Sequence, residues 1–150
     1  AAAENENTDI PLSEMKPPST VREDLFDLIG VQKGIGTEEL EKCNFKDRFI
    51  NQQDQVKMMN TLDQLAAVLS LCDWLICDDS GPAHMAGCLG IKTIVCLPET
   101  TNWRWPASEN TPPWYPNTIM IRKSKNQNWR SCLEKAWEIV EQSLISKTNT

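Results

Sequence analysis

The sequence predicts an α/β fold in which a largely parallel sheet carries helices on both faces. Residues 74–77 and 93–97 are short, continuously apolar runs, typical of strands that are covered on both sides. Between them lies a predicted helix that starts at Pro82 and ends before Gly90, where these two residue types are favoured. A strand, a helix and a second strand within about 25 residues favour a right-handed parallel connection.

The first part of the chain gives weaker local signals. Residues 1–9 are polar and are predicted to form a disordered tip, with order starting near Ile10. Residues 25–31 are an apolar run predicted to be a strand, followed by a glycine turn and a helix whose acidic first turn is residues 37–41. Residues 56–59 form a second, brief strand candidate.

Two further helices have clear start signals. Thr61 and Gln64 match a capping box, and apolar residues at helical spacing follow them as far as Cys72. Residues 118–121 are one more predicted strand. Asn128 can cap a final helix whose apolar positions recur at helical spacing: Trp129, Cys132, Leu133, Ala136, Trp137, Val140 and Leu144.

The composition excludes several classes of protein. A chain of 150 residues with a net charge of −6 is sized for one domain and has no general attraction to nucleic acid. No apolar run is long enough to predict a membrane span, and the start does not resemble a signal peptide, so we expect a cytoplasmic protein or a piece of one. The six cysteines contain no C-x-x-C pair and favour free buried thiols, and a single histidine makes a metal site improbable.

The loop at residues 78–84 is the strongest candidate for a ligand site. Ligands of parallel sheets bind where the carboxyl end of a strand leads into a helix. Gly81 would let backbone amides approach a phosphate, and the helix N-terminus would attract its charge. In the alternative interpretation, His84 only satisfies a buried carbonyl and Asp79 only caps the helix.

The run from Thr61 to Arg104 resembles the donor-binding domain of the heptosyltransferase-like glycosyltransferases. Residues 103–105 (W-R-W) and 114–116 (W-Y-P) further resemble the branch whose catalytic part follows tetratricopeptide repeats. The resemblance covers roughly residues 10–145 and implies a Rossmann-like domain, the C-terminal half of a GT-B glycosyltransferase. The family signature D-[ST]-G-x-x-H-x-A-G/A-x-x-G opens its diphosphate-binding helix and is present here as Asp79, Ser80, Gly81, His84, Ala86, Gly87 and Gly90.

The resemblance implies a role for each matching residue. Ser80, Gly81 and His84 would contact the diphosphate of a nucleotide sugar, and Asp79 would contact its sugar side. The remaining donor-binding candidates are Glu38, which would contact the ribose, Lys33 in the preceding turn, and Asn60 and Thr61 along the base with Met59. The alternatives are an exposed helix acid for Glu38 and core packing for Met59. No metal or other cofactor is implied.

Arg104 is predicted, with His84, to stabilise the departing diphosphate, because charge develops there as the glycosidic bond breaks. A surface ion pair of Arg104 with Glu99 or Glu109 is the alternative. This segment belongs to a long loop, residues 98–116, that holds five of the nine prolines and three of the six tryptophans. Its aromatic residues are predicted to anchor the loop to the core: Trp105, Trp114 and Tyr115.

The sequence also departs from the family pattern. The family's donor domain has one more strand before the matched region, and the acceptor site lies on a separate N-terminal domain. We therefore expect residues 10–147 to be a donor-binding half-enzyme, with 148–150 as a tail, that needs an acceptor domain in cis or in trans. An unpaired sheet edge would also allow a homodimer. The alternatives are a non-catalytic interaction module with the same fold, or another α/β enzyme that uses His84 and Asp79 as an acid/base pair.

Overall fold

The computed structural model describes residues 9–32 and 38–148. Their central element is a sheet of three parallel strands, β1 (Trp74–Cys77), β2 (Lys92–Leu97) and β3 (Thr118–Arg122). The strands lie in the order β1-β2-β3, so within the described residues β2 is the central strand. The predicted strands of this half of the chain and their parallel pairing are confirmed.

The described residues contain five α-helices. In chain order they are α1 (Glu39–Lys42), α2 (Gln53–Lys57), α3 (Leu62–Ser70), α4 (Gly81–Cys88) and α5 (Trp129–Thr148). Short 3-10 turns at Leu12–Met15, Glu23–Leu25 and Lys46–Arg48 complete the described elements. The helices with clear sequence signals, α3, α4 and α5, are all present.

The helix ends follow the chemistry that the sequence predicts. Thr61 and Gln64 form the reciprocal capping box at the start of α3. Gly90 follows α4 with a φ of +73°, a left-handed conformation that is strained for other residues. The side chain of Asn128 accepts a hydrogen bond from the Ser131 amide at the start of α5, with 3.4 Å between the two atoms.

Alternate residues of β2 face two apolar cores, one on each side of the sheet. On one face, Ile94 and Cys96 pack against the apolar side of α5. On the other face, Val95 and Leu97 pack with residues of α3, α4 and the long loop. Since both faces are covered, β2 is buried along all but its first residue, and the α/β fold with helices on both faces is confirmed.

Two predicted strands are wrong. Residues 25–31 contain only an isolated parallel bridge, from Leu28 to Phe49, and residues 53–57 form α2 where residues 56–59 were expected to be extended. The buried side chain of Gln53 hydrogen-bonds the backbone of the first of these segments. Its oxygen accepts from the Gly30 amide at 2.8 Å, and its nitrogen donates to the Gly30 carbonyl at 2.7 Å. A glutamine side chain thus takes the place of a neighbouring strand.

Other predictions for this part of the chain are settled only in part. The helix predicted to have its first turn at 37–41 is present only as the four-residue α1, Glu39–Lys42. Residue 37 lies outside the described residues, as do the glycine turn at Gly34 and residues 1–8. All six cysteines are free. Three are buried, whereas Cys88 at the end of α4 is exposed, contrary to the expectation of buried thiols. Burial raises the pKa of Cys77 and Cys96 well above its usual range.

Candidate functional site

The N-terminus of α4 is open. Ser80 is the N-cap residue, with extended backbone angles (φ −135°, ψ 169°), but its side chain makes no capping hydrogen bond. A Cβ added to Gly81 would meet no atom within 4 Å, and the Gly81 amide donates to no described residue. Backbone donors at a helix N-terminus that lack partners are available to an anion.

The carboxylate of Asp79 is held by two side chains. His84 Nε2 lies 3.6 Å from Asp79 Oδ1, and Asn102 Nδ2 donates to Asp79 Oδ2 at 2.9 Å. Asp79 therefore does not cap α4, and the alternative role suggested for it is wrong. Asn102 thus hydrogen-bonds one carboxylate oxygen, His84 lies within ion-pair distance of the other, and neither oxygen accepts from a backbone amide of the described residues.

His84 lies in a half-buried aromatic setting. Its Nδ1 is 3.1 Å from the hydroxyl of Tyr115, and its ring stacks on Trp105 with 5.0 Å between ring centroids and 23° between planes. The two ring nitrogens thus face Tyr115 and Asp79, and neither faces a backbone carbonyl. The alternative that His84 satisfies a buried carbonyl is therefore wrong.

Gly87 makes the position of Tyr115 possible. A Cβ at Gly87 would lie 2.5 Å from Tyr115 Cγ and 2.7 Å from Cδ1, closer than atoms approach in proteins. Burial raises the pKa of Tyr115, and the neighbouring Cys88 adds to the effect. Tyr115 accordingly keeps its proton at neutral pH and can donate to His84 Nδ1 when that atom carries no hydrogen.

The long loop is anchored to the sheet by Trp105 and Arg122. Trp105 is only 1% exposed. The Arg122 guanidinium donates to Thr101 Oγ1 at 2.8 Å and to the Trp105 and Pro106 carbonyls at 2.9 and 3.0 Å. Burial lowers the pKa of Arg122. The predicted anchoring role of Trp105 is confirmed.

The tip of the loop carries Arg104 beside the exposed side chain of Trp103. The Arg104 amide donates to Asn102 Oδ1 at 3.0 Å, and its guanidinium lies 5.5 Å from the centroid of Trp103. Trp114, expected to anchor the loop, is instead 43% exposed and contacts Trp103 edge-on. Across the described ranges Arg104 forms no ion pair, so the alternative pairing with Glu99 or Glu109 is not observed.

The other predicted donor-binding residues lie outside this cluster. Asn60 and Thr61 are exposed at the start of α3, where both contact Gln64. Glu38 is exposed immediately before α1 and, in the part of the chain that the structure covers, has no contact with Asp79 or His84. Lys33 lies outside the described residues. Met59 is buried, as the core alternative predicts.

Asn102 and Arg122 are the site-building residues that the sequence reasoning missed. Asn102 links the Asp79 carboxylate to the Arg104 amide, and Arg122 fixes the loop on which both Asn102 and Arg104 lie. Both residues act across 16 or more positions in the chain, apart from the Asn102–Arg104 contact, so no local pattern marks them. For Arg122, the one available signal in the sequence is that a basic residue directly follows the predicted strand at 118–121.

In residues 9–32 and 38–148 no group of three or more His, Cys, Asp or Glu side chains could hold a metal ion. Among the helices of the same ranges, none is long and apolar enough to cross a bilayer.

The comparisons with known proteins identify the family. The model of glycosyltransferase family 9 (heptosyltransferase) matches residues 38–138, which include the loop before α4, all three strands and the first half of α5. No curated protein and no solved structure matches the chain. The match covers more than half of the 150 residues and contains the Asp79–His84 cluster, so the chain belongs to glycosyltransferase family 9, the heptosyltransferase family.

Proposed function

We propose that this chain binds the diphosphate of a nucleotide sugar at the N-terminus of α4 and is the donor half of a GT-B glycosyltransferase. The observation that carries the proposal is the open amide of Gly81 beside the Asp79–His84 pair, at the carboxyl end of β1. An anion gains from the helix dipole and from unpaired amides at such a position.

His84 and Arg104 supply the cationic groups in this proposal. When His84 is protonated, Asp79 Oδ1 at 3.6 Å balances part of its charge, and Nε2, which is beyond hydrogen-bond distance of that oxygen, can donate to a phosphate oxygen. Arg104 has no ion-pair partner among the described residues, so its guanidinium is available for a two-point contact with phosphate. Its loop is tied to Asp79 through Asn102.

The reaction of the complete enzyme would be attack of an acceptor hydroxyl on the anomeric carbon. The bond from that carbon to the diphosphate breaks, and the nucleoside diphosphate leaves with its electron pair. Negative charge develops on the leaving oxygen, where the α4 N-terminus, His84 and Arg104 would stabilise it. The acceptor hydroxyl would lose its proton to a base on an acceptor domain, in cis or in trans.

The finer features of the proposal rest on separate observations. The W-R-W and W-Y-P sequences at residues 103–105 and 114–116 support membership of the tetratricopeptide-linked branch. The free cysteines fit a reducing compartment such as the cytoplasm.

Calorimetric titration with UDP, ADP and GDP tests donor binding. We expect one of the three to bind, and His84→Ala to weaken its binding by about tenfold, as loss of one charged hydrogen bond does. Arg22→Ala is the control, since Arg22 is an exposed cation whose guanidinium pairs with Asp24, and the substitution keeps the backbone amide that donates to Glu141. A folded chain that binds none of the three nucleotides, or an unchanged dissociation constant in His84→Ala, contradicts the assignment.

A further inference from the structure

The imidazole ring of His84 is held in one orientation by its neighbours. The ring stacks on Trp105, with 5.0 Å between centroids and 23° between planes. Its Nδ1 lies 3.1 Å from the Tyr115 hydroxyl, and its Nε2 lies 3.6 Å from Asp79 Oδ1. A half-turn about the Cβ–Cγ bond would put a carbon in place of each nitrogen and lose the hydrogen bond with Tyr115. The stacking and the hydrogen bond therefore select one of the two ring orientations.

In this orientation Nε2 faces the start of α4. His84 is the fourth residue of the helix, and helical side chains lean toward the N-terminus. Asp79, whose carboxylate lies beside Nε2, precedes the helix by two residues. Because 3.6 Å is beyond hydrogen-bond distance, Asp79 does not occupy Nε2. The side chain of His84 is 28% exposed, so a ligand at the mouth of the helix can reach it.

The same neighbours decide which nitrogen carries the hydrogen when His84 is neutral. A carboxylate only accepts hydrogen bonds, so Asp79 favours a hydrogen on Nε2 and disfavours a lone pair there. The bare Nδ1 then accepts from the Tyr115 hydroxyl, which keeps its hydrogen because burial raises the pKa of Tyr115. The other tautomer would also bond to Tyr115, but it would turn the Nε2 lone pair toward Asp79. Both neighbours therefore agree with a hydrogen on Nε2.

Cys88 is the competing acceptor for the Tyr115 hydroxyl. Its thiol is close enough to contribute to the raised pKa of Tyr115. The sulfur of a thiol is a weak acceptor, whereas an imidazole nitrogen without hydrogen is an ordinary one. We therefore assign the hydroxyl hydrogen to His84 Nδ1, at a distance of 3.1 Å between the heavy atoms.

We propose that Tyr115 is a positioning residue that holds neutral His84 in the Nε2–H tautomer and directs this N–H to the mouth of α4, where it donates to a phosphate oxygen. The hydrogen bond to phosphate then requires no prior protonation of the ring. No proton is transferred, since the hydroxyl hydrogen stays on Tyr115 and the ring hydrogen stays on Nε2. The tautomer does not depend on a ligand, whereas its use in binding rests on the proposed function.

NMR of the ligand-free, ¹⁵N-labelled protein tests the tautomer directly, because His84 is the single histidine of the chain. Two-bond ¹⁵N–¹H correlation spectra are recorded at the high-pH plateau of its titration, where the ring is neutral. We expect Nε2 to resonate as a nitrogen that carries hydrogen, and Nδ1 as a bare nitrogen that accepts a hydrogen bond. A hydrogen on Nδ1, or two nitrogens with averaged signals, overturns the proposal.

Tyr115→Phe removes the hydroxyl and keeps the ring that packs beside Gly87 and Trp105. We expect the Nδ1 signal of His84 to move to the position of a bare nitrogen without a hydrogen-bond donor. Cys88→Ala is the control, because it removes the other group beside the hydroxyl and should leave Nδ1 unchanged. An unshifted Nδ1 in Tyr115→Phe, or an equal shift in Cys88→Ala, shows that the hydroxyl bonds elsewhere and overturns the proposal.

Calorimetry with UDP, ADP, GDP and pyrophosphate at the same pH tests the use of the N–H. Tyr115→Phe should weaken binding by about fivefold in the original protein, and by less than about twofold when His84 is already alanine. An equal loss in both backgrounds shows that Tyr115 acts only through the structure of its loop, and overturns the positioning role. If the original protein binds none of these anions, the proposed function and the binding role of the N–H fail together, while the spectra still decide the tautomer.

Discussion

Replacing Gly87 with alanine should destabilise the protein and disturb the Asp79–His84 cluster together. The new methyl group would lie 2.5–3.0 Å from three ring atoms of Tyr115, so the ring must move. Movement of Tyr115 breaks its 3.1 Å contact with His84 Nδ1 and its packing beside Trp105. A substitution on the buried face of α4 is therefore expected to disturb the candidate ligand site as well.

The size of the effect follows from three contributions. Overpacking of a well-packed region costs about 1–3 kcal/mol. Loss of the hydrogen bond between Tyr115 and His84 costs about 1 kcal/mol. Alanine favours the helix over glycine by about 1 kcal/mol, which opposes the other two. We therefore expect the free energy of unfolding to fall by about 1–3 kcal/mol, and Tm by roughly 2–4 °C for each of these kcal/mol.

Gly81→Ala is the matched control, because it makes the same chemical change in the same helix. A Cβ at Gly81 meets no atom within 4 Å, so its free energy of unfolding should stay within about 0.5 kcal/mol of the original or rise. If the proposed donor site is correct, the methyl group at the helix mouth should nevertheless weaken nucleotide binding. Urea unfolding and calorimetry measure the two effects separately. A Gly87→Ala protein as stable as the original refutes the packing argument.

Two other substitutions test the supports of the fold. Arg122→Met removes the donors to Thr101 and to the Trp105 and Pro106 carbonyls, and should lower the free energy of unfolding by about 2–4 kcal/mol in urea, whereas Arg22→Met should change it by less than about 0.5 kcal/mol. Equal effects of the two would show that the loop is held without Arg122. Hydrogen bonds from Lys46 and Lys57 lower the pKa of Glu41 from 4.5 to about 2, so its stabilising effect is complete above pH 4.5 and is lost as pH falls toward 2. Thermal melts of Glu41→Gln in low salt should therefore approach those of the original protein as pH falls through this range, and a constant difference would contradict the assignment.

The parts of the fold that were predicted correctly carry their signals locally. The β1–α4–β2 unit follows from two apolar runs, a proline and a glycine, and α3 follows from its capping box. Residues 25–31 have the same apolar character, but a strand exists only when its edges are paired. Among the described residues, Leu28 forms only an isolated bridge with Phe49, which composition does not reveal.

The candidate site likewise contains residues that could be predicted from the sequence and one that could not. Asp79, Ser80, Gly81 and His84 are adjacent in sequence, so their convergence could be predicted from one loop. Asn102, by contrast, reaches Asp79 across 23 residues through the path of an irregular loop. Long loops without regular structure offer no periodicity from which such a contact could be inferred.

The bidentate contact between Gln53 and Gly30 also limits which substitutions the protein can accept. A carboxylate at position 53 could accept from the Gly30 amide but could not donate to the Gly30 carbonyl, and asparagine has one methylene fewer to reach both. A Cβ at Gly30 would lie 3.4 Å from Gln53 and Phe49, an ordinary van der Waals contact, and the hydrogen bonds use only the backbone of position 30, so that position is less restricted. During divergence, therefore, position 53 should keep its glutamine while position 30 can accept a small side chain.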